Sequence, residues 1–190
     1  MKTSHLSFSA IRLLTEAYAF AADKHRHQRR KDVHASPYIN HPIQLVHILT
    51  HEGGIEDVPT LVAAILHDTI EDTATTVEEL REKFGGEIAS IVQEVTDDKS
   101  LPKDVRKRLQ IEHAQGLSHQ AKLVKLADLI SNVEETLDNE SQLWPYDRRM
   151  TYLEWANRVV HGLRGISPVL EKRFDALYAR RVEIVDKHLQ

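Results

Sequence analysis

Apolar residues recur at helical spacing along most of the chain, whereas the strand-like alternation of apolar and polar residues is absent. In the segment 9–27, one stripe collects Ala10, Leu14, Ala17, Ala21 and Ala22. Such a stripe is typical of a helix with one face on a core. In "TLVAAILHD", after Pro59, the apolar residues are nearly continuous, which predicts a central, buried helix.

Capping residues and helix breakers delimit further helices. Pro42 fits the first turn of a helix over residues 42–51, because proline lacks only an N–H that a first turn leaves unpaired. Thr76 and Glu79 form a capping box for the segment "VEELREKFG". The remaining predicted helices cover residues 87–98, 103–115, 119–137, 147–163 and 169–189. With no repeat or linker in sight, residues 1–190 are expected to form a single all-α domain, a helical bundle.

The composition narrows the class of protein. Hydrophobic residues make up 41% and charged residues 28% of the 190 residues, as in ordinary globular proteins. The net charge of −4 gives no reason to expect nucleic acid or an anionic membrane as a partner. Without cysteine there is no disulfide or thiolate metal site, and no apolar run reaches the ~20 residues of a membrane span. We expect a cytoplasmic protein, and its oligomeric state is not readable from the sequence.

Histidine is frequent, with twelve residues, and position has to select among them. Seven lie among polar neighbours and are predicted at the surface: His5, His25, His27, His34, His113, His119 and His188.

Three carboxylates and a histidine interrupt the apolar pattern in "AAILHDTIEDT". His67 and Asp68 end the most apolar helix, and Asp68, Glu71 and Asp72 share one face if the helix continues for another turn. A buried carboxylate is costly unless it is paired or binds a metal. Three carboxylates close together repel one another, and a divalent cation would offset this repulsion. A carboxylate near the cation but not bound to it could have a raised pKa suited to proton transfer. The alternative is a solvated helix end.

Asp128 and His41 are the other polar residues at unexpected places. Asp128 lies among apolar residues in "LVKLADLISN", with Asn132 one helical turn later; it is either a ligand or an exposed residue of the polar side. His41, at the start of the second helix, either caps that helix or is a ligand. Together, His41, His67, Asp68 and Asp128 would offer two imidazoles and two carboxylates. Such a ligand set suits Mn, Fe, Co or Zn better than Ca or Mg. A water bound to such a metal is a nucleophile near neutral pH.

The order of these residues resembles a known signature. His41, then "HDTIED" at 67–72, then Asp128 is similar to the H…HD…D pattern of the HD-domain metal-dependent phosphohydrolases. The segments "RRKDVHASPYINHP", "AAILHDTIEDT", "FGGEIASIVQEVTDDK" and "AKLVKLADLISN" resemble the hydrolase domain of the Rel/Spo alarmone enzymes, especially the small stand-alone alarmone hydrolases. The resemblance covers residues 17–165. Because the chain ends at residue 190, hydrolase activity without a synthetase domain is expected.

The resemblance implies an HD-type helical bundle and an enzyme. The implied reaction removes pyrophosphate from the 3′ position of guanosine tetra- or pentaphosphate (ppGpp, pppGpp) with Mn²⁺. Four residues match the metal ligands: His41, His67, Asp68 and Asp128. Glu71 and Asp72 match the pair that activates and positions the attacking water.

The resemblance also implies a substrate shell. Arg30 and Lys31 match a basic pair that packs against the base, because arginine stacks on flat rings and holds phosphate with a fork of donors. The other matching residues are Tyr38 and Asn132 at the nucleoside, Arg148 and Tyr152 at the ribose and phosphates, and Lys99 and Lys103 as phosphate contacts. Without the resemblance, "RHQRRK" would be read as a solvated basic loop.

Two departures from the family pattern lie near this shell. The loop 33–36 lacks the glycine that is frequent there, and Leu129 stands where a basic residue is frequent. The choice between guanine and adenine therefore stays open. Alternatives on the same metal set are NADPH dephosphorylation, adenine-alarmone hydrolysis and deoxynucleotide phosphatase activity. A non-catalytic module that binds the alarmone is a further alternative, which the Glu71–Asp72 pair argues against.

Overall fold

The computed structural model describes residues 7–138 and 145–189, and these form eleven α-helices. Their bounds are α1 (Phe8–Lys24), α2 (Asn40–His47), α3 (Val58–Leu66), α4 (Thr69–Asp72), α5 (Val77–Phe84), α6 (Gly86–Val95), α7 (Lys103–His113), α8 (His119–Asp138), α9 (Tyr146–Leu163), α10 (Pro168–Ala179) and α11 (Arg181–Leu189). A π-helical turn (Ile48–Glu52) extends α2, and a 3₁₀ turn (Ala114–Gly116) extends α7. The described ranges contain no strand, so the predicted all-α fold is confirmed.

Helix α3 lies at the centre of the bundle and packs against α1, α2, α6 and α8. It begins where the Asp57 side chain accepts a hydrogen bond from the Thr60 N–H at 3.0 Å. From Thr60 to Leu66 every residue is buried, which confirms the prediction from the continuous apolar run. Each large aliphatic side chain buried in this way contributes about 1.5–3 kcal/mol to stability. The carboxyl end of α3 is therefore a rigid support for whatever follows it.

Helix α8 crosses this core and carries Asp128 at its middle. The neighbours Ala127 and Leu129 are buried, and the Asp128 side chain is only 14% exposed. Helix α8 packs against α2 and α3 as well as α9 and α10. Asp128 is thus held between elements rather than on an exposed polar face.

No helix in the described ranges is long and apolar enough to cross a membrane.

Some helix limits differ from the prediction. Helix α2 begins two residues before Pro42, and the first predicted helix already ends at Lys24. The helix predicted over residues 169–189 is two helices that meet at Arg180. Arg180 donates to Asp138 at 2.7 Å, and Glu183 lies 3.2 Å from the same side chain. Neither proline nor glycine marks this junction, so the periodicity of the sequence does not reveal it.

The apolar stripe predicted on the first helix is only partly buried. Ala17 and Ala21 are fully buried, whereas Ala22 is exposed. Helix α1 packs on α3, and Ala22, the residue after Ala21, points to a different side of the helix.

Gly162 permits the close approach of α9 to the 3₁₀ turn. A Cβ at this position would lie 2.7 Å from the Ala114 Cβ and 3.1 Å from the Gln115 backbone nitrogen. Both neighbours are rigid, so a side chain here requires the turn to move. At Gly86, the first residue of α6, an added Cβ meets nothing within 4 Å.

We expect Gly162→Ala to lower the free energy of unfolding by about 1–3 kcal/mol, because overpacking outweighs the usual gain of alanine in a helix. The matched control Gly86→Ala should change it by less than about 0.5 kcal/mol. Urea unfolding of the metal-free protein measures both. A stabilised Gly162→Ala variant would contradict the close packing of α9.

Candidate metal-dependent active site

Three helices bring two histidines and an aspartate to one point. His41 lies near the start of α2, His67 directly follows α3, and Asp128 lies at the middle of α8. One ligand atom from each residue lies within 4.8 Å of the others. The Asp128 Oδ1 is 3.1 Å from His41 Nε2 and 4.0 Å from His67 Nε2. Residues that are far apart in sequence therefore form one cluster at the bundle core.

The hydrogen bonds of the two imidazoles leave their Nε2 atoms directed at this cluster. His67 Nδ1 lies 2.9 Å from the Ala64 carbonyl oxygen, which can only accept, so Nδ1 carries the proton. His67 Nε2 is buried and faces only the carboxylates of Asp68 and Asp128, at 3.1 and 4.0 Å. His41 Nδ1 lies 3.2 Å from the Ser131 hydroxyl. Backbone or hydroxyl partners on the far ring nitrogen are typical of metal-binding histidines, so this donor set fits a divalent first-row cation.

Asp68 lies beside the cluster, in the break between α3 and α4. Its backbone (φ −100°, ψ 0°) interrupts the helix, so α3 does not run on through the acidic residues. The Asp68 Oδ2 is 3.1 Å from His67 Nε2 and accepts a hydrogen bond from the Tyr38 hydroxyl. Asp68 is outside the group of three mutually close ligand atoms. Its role as a fourth ligand stays a prediction.

The electrostatics of the cluster favour a positive charge. Burial alone would lower the pKa of His67, but the carboxylates of Asp68 and Asp128 outweigh it and raise this pKa to about 9. Burial opposes the ionised form of Asp128, yet the hydrogen bond from His41 and the charge of Lys125 lower its pKa to about 2. A divalent cation would supply at this point the positive charge that two nearby carboxylates require.

Glu71 and Asp72 lie in the single turn of α4, next to the cluster. The Asp97 N–H donates to Glu71 Oε2 at 3.2 Å, and Lys99 Nζ and Arg106 Nη1 each lie 3.8 Å from Oε1. Burial, and then the charge of Asp68, raise the pKa of Glu71 to about 6. A carboxylate with a pKa near the working pH is suited to accept a proton.

Asp72 is held from two sides. Gln28 Nε2 donates to Asp72 Oδ2 at 2.7 Å, and Lys99 Nζ binds Oδ1. The predicted phosphate contact Lys99 is exposed and in this structure pairs with the carboxylate.

A cleft of about 410 Å³ opens beside Glu71 and Asp72. It contains five of the eight predicted substrate residues: Arg30, Lys31, Tyr38, Asn132 and Tyr152. Gln28, Arg29, Glu135 and Thr136 complete its lining. The other three predicted residues, Lys99, Lys103 and Arg148, are exposed and do not line this cleft.

Arg30 connects the wall of the cleft, through Asn132, to the cluster of candidate metal ligands. It donates to Asn132 Oδ1 at 3.0 Å and pairs with Glu135. The guanidinium carbon lies 5.8 Å from the centre of the Tyr38 ring. The Asn132 amide in turn donates to Asp128 Oδ1 at 2.5 Å. These two residues therefore lie on the same face of α8, as predicted.

Several residues of the site were not predicted. His25, expected at the surface, is only 3% exposed, because it ends α1 beneath the Tyr38 ring at a centroid distance of 4.6 Å. The other described histidines of that group are exposed: His27, His34, His113, His119 and His188; His5 lies outside the described residues. The sequence pattern also gave no reason to single out Gln28 or Ser131, although Ser131 lies one helical turn after Asp128. The departure at Leu129 does not reach the cleft, since this side chain is buried in the core.

A family model described as "HD domain" matches residues 17–158. The chain therefore belongs to the HD domain family, a class of helical proteins defined by this kind of histidine and aspartate cluster. HD-domain hydrolases are metal-dependent, and the cluster of His41, His67 and Asp128 is a candidate metal site.

Individual relatives narrow the comparison. A zebrafish (Danio rerio) protein named guanosine-3′,5′-bis(diphosphate) 3′-pyrophosphohydrolase MESH1 is 51% identical over 176 residues, which are 93% of this chain and 98% of that one. The protein of the same name from Drosophila melanogaster is 46% identical over 166 residues, 87% of this chain and 93% of that one. A solved structure, described as a metazoan orthologue of SpoT that hydrolyzes ppGpp, superposes with a TM-score of 0.88 at 43% identity and covers 94% of this chain and 98% of that one. The resemblance to the stand-alone alarmone hydrolases is confirmed.

The raised pKa of Glu71 has a consequence for stability. Because its folded-state pKa of about 6 exceeds the ordinary value of 4.5, ionised Glu71 destabilises the fold above pH 6 and has no such effect below pH 4.5. We expect Glu71→Gln to raise the free energy of unfolding of the metal-free protein by about 1–2 kcal/mol at pH 8, with little change at pH 4.

Urea unfolding at the two pH values measures this difference. The control Glu56→Gln, in an exposed loop, should change the free energy of unfolding by less than about 0.5 kcal/mol. Equal stability of Glu71→Gln and the wild type at pH 8 would contradict the environment described for Glu71.

Proposed function

We propose that this protein is a metal-dependent 3′-pyrophosphohydrolase that converts guanosine tetra- and pentaphosphate to GDP and GTP with release of pyrophosphate. One observation carries the proposal: a carboxylate with a raised pKa, Glu71, lines a nucleotide-sized cleft beside a buried His–His–Asp cluster. The names of the MESH1 relatives and the ppGpp hydrolysis described for the SpoT orthologue support the choice of substrate.

The proposed metal is Mn²⁺, with His41, His67, Asp68 and Asp128 as its protein ligands. When bound, the cation would lower the pKa of a water molecule and balance phosphate charge. The ligand set supports this choice, because two imidazoles beside carboxylates suit first-row metals better than an all-oxygen shell would.

The chain's own residues then act on the water and the substrate. Glu71 accepts a proton from the attacking water, and Asp72 orients that water. The water oxygen bonds to the phosphorus attached to the 3′ oxygen, the bond from that phosphorus to the 3′ oxygen breaks, and the freed 3′ oxygen takes up a proton. The products are the nucleoside 5′-diphosphate or 5′-triphosphate and pyrophosphate.

The cleft provides the proposed recognition. Arg30 and Lys31 pack against the base, and Tyr38 and Asn132 hold the nucleoside. Tyr152 lies on the ribose side, and the remaining three basic residues approach the phosphates: Lys99, Lys103 and Arg148. Their positive charge balances the phosphates as the bond breaks. We further propose that residues 1–190 act as one domain in the cytoplasm, without a nucleic-acid or membrane partner.

The direct test incubates metal-free protein with guanosine tetraphosphate, with and without Mn²⁺, and separates the products by ion exchange. GDP and pyrophosphate that appear only with metal are the expected result. Release of orthophosphate instead would identify a phosphatase and overturn the proposed reaction. If no product forms, NADPH or an adenine alarmone becomes the candidate substrate.

The metal assignment predicts the behaviour of Asp128→Asn. This variant keeps the size of the side chain but removes a charge from the cluster, so we expect loss of Mn²⁺ binding and a fall in turnover of more than about a hundredfold, since even outer partners of a metal site cost 10–100-fold.

Asp104→Asn is the matched control, because Asp104 is exposed on α7. It should keep the metal content and the turnover of the wild type. Metal content is measured after gel filtration. A metal-loaded, active Asp128→Asn protein would overturn the assignment of Asp128.

A further inference from the structure

A chain of contacts at the wall of the cleft connects Asp72 to Asp68. Gln28 Nε2 donates to Asp72 Oδ2 at 2.7 Å, and Gln28 Oε1 lies 2.5 Å from His25 Nδ1. The His25 ring packs on the Tyr38 ring, with centroids 4.6 Å apart. The Tyr38 hydroxyl donates to Asp68 Oδ2. Two residues without an assigned role, His25 and Gln28, thus lie between the water-positioning carboxylate and a predicted metal ligand.

The acceptors in this chain determine where its protons are. An ionised carboxylate only accepts, so Gln28 must turn its NH₂ group to Asp72 and its oxygen to His25. That oxygen also only accepts, so the proton of His25 must be on Nδ1. Burial lowers the pKa of His25, which favours the neutral ring. His25 Nε2 is then a bare acceptor, and this buried atom has no hydrogen-bond partner.

We propose that His25 and Gln28 are positioning residues for Asp72, and this inference rests on the proposed function. The Nδ1–H of His25 fixes the orientation of the Gln28 amide, and the fixed amide holds Asp72 where it can orient the attacking water. Without that proton the amide is free to turn over and present its oxygen to the carboxylate, which repels it. Lys99, 48% exposed, then draws Asp72 toward solvent.

A purely structural role of His25 would consist of filling space beneath Tyr38. Two substitutions separate this role from positioning. His25→Phe keeps a flat ring against Tyr38 but removes the donor. His25→Asn loses the ring but places an amide N–H near the position of Nδ1. The two roles therefore predict opposite orders of activity.

We expect His25→Phe to lower kcat by about 10–100-fold while KM changes by less than about threefold, because the cleft stays intact. His25→Asn should restore kcat to within about threefold of the wild type. Loss of activity in His25→Asn with full activity in His25→Phe would show a packing role and overturn the proposal.

Gln28→Leu provides a second route that leaves the buried ring in place. It should lower kcat as His25→Phe does, and the double variant should lose no more than either single variant, because both act through one amide. Additive losses would overturn the proposed pathway from His25 through Gln28. Circular dichroism verifies that each variant is folded.

A readout independent of activity is the tautomer of His25 in the metal-free protein, from ¹⁵N chemical shifts assigned by comparison with His25→Phe. A proton on Nδ1 is expected, and a proton on Nε2 would overturn the inference. Turnover by the wild type with an unchanged kcat in His25→Phe would refute the positioning role alone. A wild type that releases no pyrophosphate would instead refute the proposed function, and the positioning role with it.

Discussion

The site depends on negative charge concentrated against buried imidazoles. Asp68 and Asp128 approach His67 at 3.1 and 4.0 Å in a region where His41 and His67 are almost fully buried. Such charges are costly in a core unless a cation or a proton accompanies them. The raised pKa of His67, about 9, is the response of the metal-free chain to this constraint. A divalent cation would balance the same carboxylates and could activate a water molecule.

The helical bundle makes this arrangement possible because its most apolar helix is buried on all sides. Helix α3 is buried along its length and delivers His67 at its end, while α8 brings Asp128 across it. Glu71 and Asp72 follow in a separate short turn, so they are near the cluster without belonging to it. The fold thereby separates the buried charged cluster from Glu71, the proposed proton acceptor, at some cost in stability at Glu71.

The candidate ligands His67, Asp68 and Asp128 could be singled out because they interrupt apolar runs, whereas His41 joined them through the H…HD…D order of the resemblance. His67 ends a buried run, and Asp128 interrupts another. The roles of His25 and Gln28 could not be predicted, because they depend on a loop that folds back through a backbone bridge between Arg29 and Pro37. The helix junction at Arg180 is likewise marked by no local breaker; Arg180 pairs there with Asp138, which is distant in sequence, and with Glu183.

The most direct measurement of the central claim is the position of manganese by anomalous X-ray scattering from crystals grown with Mn²⁺. We expect one strong peak between His41 Nε2, His67 Nε2 and Asp128 Oδ1, at the edge of the cleft that contains Glu71. A peak elsewhere in the molecule, with these three side chains still bonded only to one another, would contradict it.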